Sequence, residues 1–107
     1  MNFYRLENMK GGWFVGDFAP TAVRCPEAEV ACKRYSAGAV EERHVHKIST
    51  EITLIARGRV IMNGRTLTSG DIVVIPPGES TDFNVLEETL TMVVKIPSVQ
   101  GDKYSAE

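Results

Sequence analysis

From residue 29 onward the chain is built of short apolar or alternating stretches that end at turn residues. Alternate side chains of a β-strand face the same side of a sheet, so this period of two predicts strands that bury one face. No stretch between residues 29 and 96 sustains the period of about 3.6 residues that an amphipathic helix requires. Short strands at regular spacing favour an all-β sandwich or barrel. The predicted strands cover residues 29–35, 44–48, 51–57, 60–62, 65–67, 72–75, 83–86 and 90–96.

Turn residues separate these predicted strands. Asn63-Gly64 lies between two apolar stretches, and Asn-Gly tolerates positive φ at both central positions of a tight hairpin. Ser69-Gly70-Asp71 is a second turn. Pro76-Pro77-Gly78 ends the strand before it, because proline cannot donate to a sheet ladder. Glu41-Glu42-Arg43 is predicted to form an exposed charged turn.

The chain has 107 residues, which suffices for one domain with its own core, so folding alone requires neither a metal nor a disulfide. We divide it into an N-terminal arm (1–22), a barrel core (29–97) and a loose C-terminal tail (100–107). The arm is rich in glycine and aromatic residues around Trp13 and Phe14. We expect it to contain a short strand that packs on a second subunit in a homodimer.

Charge and cysteine usage narrow the expected partners. Twelve basic and fourteen acidic side chains give a net charge of −2, and Lys33-Arg34 is the only adjacent basic pair, so we expect no nucleic-acid partner. The apolar runs are too short to cross a bilayer, so we expect no membrane partner. Cys25 and Cys32 lack metal-site spacing, and the polar first residues do not resemble a leader. We therefore expect a cytoplasmic protein with reduced thiols.

Two histidines and a glutamate form the strongest candidate for chemistry. His44 and His46 are two residues apart, so on a strand both imidazoles would face one side while Val45 faces the other. Glu51 follows after a short connection and begins the next predicted strand. Two nitrogens and one carboxylate oxygen suit a divalent first-row metal such as Zn, Fe, Mn, Ni or Co. Three protein ligands leave coordination positions open for water or substrate.

The spacing of Gly38, His44, His46, Glu51 and Gly58 resembles the first motif of the cupin superfamily. The segment 70–78 resembles the start of the second cupin motif, and together the two motifs cover about residues 38–83. The resemblance implies a single-domain, RmlC-like cupin jelly-roll barrel, or double-stranded β-helix, with its site inside the mouth. It also implies that the two histidines and Glu51 match three of the family's four usual metal ligands.

The chain departs from the second motif at Thr81, which stands where the family has its fourth ligand, a histidine. His44 and His46 are the only histidines, so no imidazole remains as a general base if both bind metal. A metal-bound water, a buried carboxylate or Tyr35 would then have to move protons. Tyr35 and Thr81 are therefore the weak candidates for catalytic residues.

Other side chains are expected to share the inner face of the barrel or to lie on its surface. Arg57 and Arg59 flank a glycine and could clamp an anion, although solvated surface charges fit them better. Cys32 has no free histidine to activate it as a nucleophile. The expected inner-face residues are Lys33, Tyr35, Thr53, Ile55, Thr81 and Phe83.

Three functions are compatible with these features. The first is a small metal-dependent enzyme, an isomerase or dioxygenase, that acts on a sugar-like or carbonyl/enol small molecule. The second is a non-catalytic module that binds a small ligand for sensing or storage, which the missing fourth ligand favours. The third is a structural role in dimer assembly through the aromatic arm. Fold alone does not decide among them.

Overall fold

Two β-sheets pack against each other, and a computed structural model describes them over residues 1–107. The chain forms no α-helix, and so contains no helix long and apolar enough to cross a membrane. Two short 3₁₀ turns, Leu6–Asn8 and Lys10–Gly12, precede the first strand. The strands are β1 (Trp13–Gly16), β2 (Val23–Arg24), β3 (Glu29–Tyr35), β4 (Val40–Val45), β5 (Thr50–Arg57), β6 (Arg59–Met62), β7 (Arg65–Thr68), β8 (Ile72–Ile75), β9 (Ser80–Val85), β10 (Thr89–Ile96) and β11 (Tyr104–Ser105).

The sheets contain six and five strands. Their orders are β2-β1-β3-β10-β5-β8 and β11-β4-β9-β6-β7. The β1–β2 pair is parallel and the other pairs are antiparallel. Strands that follow one another along the chain from β3 to β10 mostly lie in opposite sheets, which wraps the chain around a common interior. The all-β prediction is confirmed.

The interior changes from apolar to polar along a single strand. Glu51, Thr53 and Ile55 alternate on the inner face of β5. Ile55 is fully buried in the apolar core, whereas Glu51 and Thr53 line a cavity. The period of two therefore places a packed core and a polar cavity side by side in one barrel. The core residues are Ile55, Val60, Met62, Leu67, Ile75, Phe83 and Val85.

The predicted Asn63-Gly64 hairpin is confirmed. Arg59–Met62 pairs antiparallel with Arg65–Thr68, and the two residues between them have positive φ, 48° at Asn63 and 76° at Gly64. This is the left-handed pair that a tight turn matching the sheet twist requires.

The strand expected at 44–48 begins earlier and ends earlier than predicted. It runs over Val40–Val45, so His46 lies just beyond its end. The sequence Glu41-Glu42-Arg43, expected to be an exposed charged turn, is therefore the middle of β4. Glu41 pairs with Phe83 and His44 pairs with Thr81, which leaves one extra residue on β4. This bulge interrupts the alternation of side chains, so the alternation in the sequence did not predict where β4 begins.

The C-terminal segment differs from the expected loose tail. Tyr104–Ser105 pairs antiparallel with the end of β4, and Asp102 is 5% exposed. The carboxylate of Asp102 accepts hydrogen bonds from the backbone N–H groups of residues 47, 48 and 49. These three amides of the β4–β5 connection are otherwise unpaired. Their hydrogen bonds to Asp102 therefore hold the C-terminal segment against the barrel.

The N-terminal arm contains the expected short strand, but that strand pairs within the same chain. Trp13–Gly16 lies antiparallel to β3, and the Trp13 ring lies beneath the ammonium groups of Lys33 and Lys95. The exposed aromatic side chains of the arm are those of Phe3 and Tyr4. Homodimer formation through the arm stays a prediction, as does the cytoplasmic location.

Burial raises the pKa of Asp102, but the hydrogen bonds from the amides of Ser49, Lys47 and Ile48, together with the charge of His46, lower it further than burial raises it. The net folded-state pKa is lower than that of an ordinary aspartate. The stabilisation is therefore complete above the unfolded pKa of about 3.9 and is lost as the pH falls through the folded value.

Asp102→Asn should lower the free energy of unfolding at neutral pH by ~1–3 kcal/mol, because charge-assisted hydrogen bonds are replaced by weaker ones. The difference from the unaltered protein should begin to shrink as the pH falls below about 4, and it should be smallest below the folded pKa of Asp102, where both side chains are neutral. Urea titrations across pH measure this. Asp17→Asn is the matched control, since Asp17 forms an exposed pair with Arg24 and should cost less than ~1 kcal/mol. A pH-independent difference for Asp102→Asn would contradict the assignment.

Candidate metal centre

The β4–β5 connection brings two imidazoles and one carboxylate together. His44 lies near the end of β4, His46 follows it, and Glu51 is the second residue of β5. His44 is 8% exposed and His46 is 4% exposed. One ligand atom from each of the three residues lies within 4.8 Å of the other two. The residues predicted from the His-x-His spacing therefore converge on one point.

Backbone carbonyls determine which nitrogen of each histidine is free. Nδ1 of His44 is 3.0 Å from the carbonyl oxygen of Glu42, and Nδ1 of His46 contacts the carbonyl oxygen of Asp102. A carbonyl can only accept a hydrogen bond, so both Nδ1 atoms must carry the proton. Each neutral imidazole then has its lone pair on Nε2, the usual arrangement of a metal-binding histidine held by an outer hydrogen bond.

The buried Nε2 of His46 has no hydrogen-bond partner, although it lies 3.2 Å from Oε1 of Glu51. Two atoms that both present lone pairs repel each other unless a proton or a metal ion lies between them. Ligands bonded at ~2.1 Å to one tetrahedral metal lie about 3.4 Å apart, close to the observed distance. The donor set and its geometry thus fit a divalent metal ion.

Neighbouring groups hold Glu51 in its ionised form. Burial alone raises the pKa of Glu51, but the hydrogen bond and charge of His46 in its protonated form, the charge of Lys95 and a hydrogen bond from Thr53 lower it more. The net pKa is below that of an ordinary glutamate. The Thr53 hydroxyl donates to Oε2 at 3.2 Å, which orients the carboxylate. Glu51 is therefore available as an anionic ligand at neutral pH.

Thr81 lies opposite His44 in the β4–β9 ladder and lines the same cavity. It is 6% exposed. The position of the missing fourth ligand is therefore beside the candidate metal site, occupied by a side chain that binds these metals poorly.

The three candidate ligands open into a cavity of about 140 Å³, roughly the space of five water molecules at ~30 Å³ each. Five of the six side chains expected on the inner face line it, and Ile55 lies in the core instead. Seven lining residues were not predicted: Trp13, Glu41, Met62, Thr91, Val93, Lys95 and Lys103. The lining residues are Trp13, Lys33, Tyr35, Glu41, His44, His46, Glu51, Thr53, Met62, Thr81, Phe83, Thr91, Val93, Lys95 and Lys103.

Tyr35 and Glu41 form a hydrogen-bonded pair in the cavity wall. The Tyr35 hydroxyl donates to Oε1 of Glu41 at 2.6 Å. Burial raises the pKa of Tyr35 far above its usual value, and the hydrogen bond to Glu41 and the charges of Glu41 and Glu51 raise it further. Tyr35 is thus a fixed hydrogen-bond donor and cannot act as a phenolate base. Glu41 retains Oε2 for other contacts.

The remaining candidates lie outside the cavity. Arg57 and Arg59 are exposed, and Nε of Arg59 is 3.7 Å from Glu87 in a solvated ion pair. Cys32 is a free, half-buried cysteine that does not line the cavity. These observations agree with their interpretation as residues without a role in the site.

No protein-family model and no curated protein matches this sequence. Among solved structures 197 chains match, so the fold assignment does not depend on any one of them. KdgF from a Halomonas species is 26% identical over 69% of this chain and 73% of its own, with a TM-score of 0.64. An RmlC-like cupin from Shewanella frigidimarina is 19% identical over 70% of each chain, with a TM-score of 0.66.

The DMSP lyase DddQ from Ruegeria pomeroyi is also similar. It is 20% identical over 88% of this chain, with a TM-score of 0.72, and the match spans 49% of the lyase. These neighbours share the two-sheet architecture and include at least one enzyme. At such identities they establish the fold and leave the substrate open.

Removing one ligand should abolish tight metal binding. Loss of a residue that only hydrogen-bonds to a metal ligand typically lowers metal affinity 10–100-fold. Loss of a ligand itself should cost more, so His46→Ala or Glu51→Gln should weaken Zn²⁺ or Co²⁺ binding by at least roughly 100-fold. Equilibrium dialysis with elemental analysis measures the affinity, and circular dichroism checks the fold. Glu79→Gln, which changes an exposed glutamate outside the cavity, is the control. Equal metal binding by Glu51→Gln and the control would exclude Glu51 as a ligand.

Restoring the fourth ligand should have the opposite effect. Thr81→His adds an imidazole opposite His44 and should tighten Co²⁺ binding by roughly tenfold or more, because affinity rises with the number of ligands. It should also shift the visible absorption of bound Co²⁺, since one open position is filled. Thr66→His, at an exposed position of strand β7, is the matched control. An unchanged Co²⁺ spectrum in Thr81→His would show that a side chain at position 81 does not reach the metal.

Proposed function

We propose that this chain, which has the cupin, RmlC-like double-stranded β-helix fold, is a small metal-dependent enzyme acting on a carbonyl/enol or sugar-like molecule. One observation carries the proposal: the imidazoles of two histidines, each with Nδ1 against a backbone carbonyl, and the carboxylate of Glu51 converge inside a cavity. His44, His46 and Glu51 would hold a divalent first-row metal, which would supply Lewis-acid polarisation of a substrate oxygen. The likeness to a DMSP lyase supports an enzymatic role for this fold.

Isomerisation by proton transfer fits the remaining side chains best. With both histidines engaged, Glu41 is the free carboxylate on the cavity wall. Its Oε1 accepts the hydrogen bond from Tyr35, which leaves Oε2 to accept a proton from the carbon next to a carbonyl group. If the abstracted carbon carries a hydroxyl group, the same carboxylate can return that proton to the former carbonyl carbon while the hydroxyl proton moves to the former carbonyl oxygen. No proton is then gained or lost overall. Tyr35 positions Glu41 and remains neutral throughout.

A non-catalytic ligand-binding module is the second candidate. Thr81 in place of a fourth ligand and the small cavity favour it. In that case a ligand would bind without chemical change. Oxygen chemistry at a two-histidine, one-carboxylate site is a further route for the enzymatic alternative.

Proton exchange tests the catalytic proposal without knowledge of the natural substrate. In D₂O, the metal-loaded protein should exchange the proton beside the carbonyl of small ketones, keto acids or sugars, which NMR detects. Glu41→Gln should slow exchange by roughly 10²–10⁴-fold with metal content unchanged, as expected for loss of a general base. Tyr35→Phe should slow it less. An oxygen electrode run in parallel detects oxygenase activity.

Glu42→Gln is the matched control for Glu41→Gln, because the neighbouring Glu42 is exposed and does not line the cavity. Binding of test compounds with neither proton exchange nor oxygen uptake would favour the binding module. Full exchange activity in Glu41→Gln would overturn the assignment of Glu41 as the base.

A further inference from the structure

Cationic side chains gather at one end of the cavity around the only tryptophan of the chain. The ammonium groups of Lys33 and Lys95 lie 5.2 and 4.9 Å from the centroid of the Trp13 ring, and Lys103 lines the same end. Although the chain as a whole carries a net charge of −2, three of its lysines meet at this cavity. Glu41 and Glu51 also line the cavity, but the three ammonium groups at the Trp13 end favour an anionic ligand there.

Two of these three lysines have no acidic partner. Nζ of Lys95 lies 3.7 Å from Glu29, whose carboxylate also accepts a hydrogen bond from Ser98. Lys33 and Lys103 have no carboxylate within ion-pair distance. Lys103 is exposed, whereas Lys33 is half-buried. A half-buried ammonium group that lacks an ion pair loses much of its hydration, so an incoming anion would stabilise Lys33.

A neutral donor lies directly beside Lys33. Thr91 is the cross-strand partner of Lys33 in the β3–β10 ladder, and both line the cavity. Thr91 is 1% exposed, and its hydroxyl has no hydrogen-bond partner. Buried hydroxyls are nearly always paired, so an unpaired one that lines a cavity beside an unpaired ammonium group indicates a ligand contact.

The same end of the cavity adjoins an outer groove of about 620 Å³. Trp13, Lys95 and Lys103 line both spaces. The two acidic residues of the groove, Glu29 and Asp102, are buried and already engaged with Ser98, Lys95 or backbone amides. An anionic group held at the junction would thus lie between the candidate metal site and solvent.

We infer that the substrate is a small carboxylate, whose carboxylate group is bound by Lys33, Thr91 and Lys103 above Trp13 while its carbonyl or enol end reaches toward His44, His46 and Glu51. This inference rests on the proposed function and specifies its substrate class. Lys33 and Lys103 supply ammonium donors and Thr91 supplies a hydroxyl donor. The small volume of the inner cavity restricts the reacting part to a few non-hydrogen atoms.

The electrostatics of Lys33 agree with this role. Burial lowers the pKa of Lys33; Glu41 and Glu51 oppose that effect, and Lys103 and Lys95 add to it. The net pKa is below that of an ordinary lysine, as expected for a partly buried ammonium group that a bound anion would stabilise.

Pyruvate and its uncharged amide, pyruvamide, are the probes, and Trp13 fluorescence reports binding at the junction. Metal-free and Zn²⁺-loaded protein are titrated separately. The metal-free protein should bind pyruvate about tenfold more tightly than pyruvamide, and Lys33→Gln or Thr91→Val should remove most of that preference. Lys47→Gln is the matched control, because Lys47 lies over Tyr104 outside the cavity.

Loss of the pyruvate preference in Lys33→Gln and Thr91→Val, but not in Lys47→Gln, would support the inference. Equal affinity for the two probes, or a preference that survives in both variants, would overturn it. Because the preference is measured without metal, it is independent of the proposed metal chemistry. If the protein retains no zinc and prefers pyruvate to the same degree with and without added zinc, the metal-dependent function is refuted. The carboxylate site is then still supported.

Discussion

Two hydrogen bonds from histidine Nδ1 atoms to backbone carbonyls are the constraint on which the site depends. The carbonyl oxygens of Glu42 and Asp102 cannot donate, so they hold the proton of each imidazole on Nδ1 and leave Nε2 unprotonated. Without them either tautomer would be accessible and the rings would lack a fixed orientation. With them, Nε2 of His46 faces Glu51 across 3.2 Å, a distance that is favourable only when a proton or a metal ion lies between the two atoms.

The two carbonyls come from distant parts of the chain, which ties the site to the fold. Glu42 belongs to the same strand as His44, so its contact is local. Asp102 follows the barrel core, and its carboxylate also holds the amides of the β4–β5 connection. One residue of the C-terminal segment therefore fixes both the backbone around His46 and the tautomer of its ring. The order of this segment is a requirement of the site.

Much of the fold and the three candidate ligands could be predicted because they depend on local spacing. The alternation of side chains places His44 on the inner face, and the short connection after it places Glu51 at the start of the next strand. Asn63-Gly64 predicts its tight turn from residue type alone. Glu41 was misplaced because a bulge reverses the alternation, and no residue type marks that bulge. Trp13 and Lys95 were missed because they reach the cavity only through pairings between strands far apart in sequence. Lys103 was missed because it directly precedes β11, whose pairing with β4 is also non-local. The contacts of Asp102 with residues 47–49 are equally non-local.

The side-chain nitrogens of the two histidines offer the most direct test of the central claim. Two-dimensional NMR of ¹⁵N-labelled protein distinguishes the Nδ1–H tautomer, the Nε2–H tautomer and the imidazolium ion, and the chain has only two histidines to assign. In metal-free protein at mildly alkaline pH both rings should be Nδ1–H tautomers. Addition of Zn²⁺ should then shift both Nε2 resonances and leave the protons on Nδ1. An Nε2–H tautomer at either ring, or Nε2 resonances that do not respond to Zn²⁺, would contradict the account.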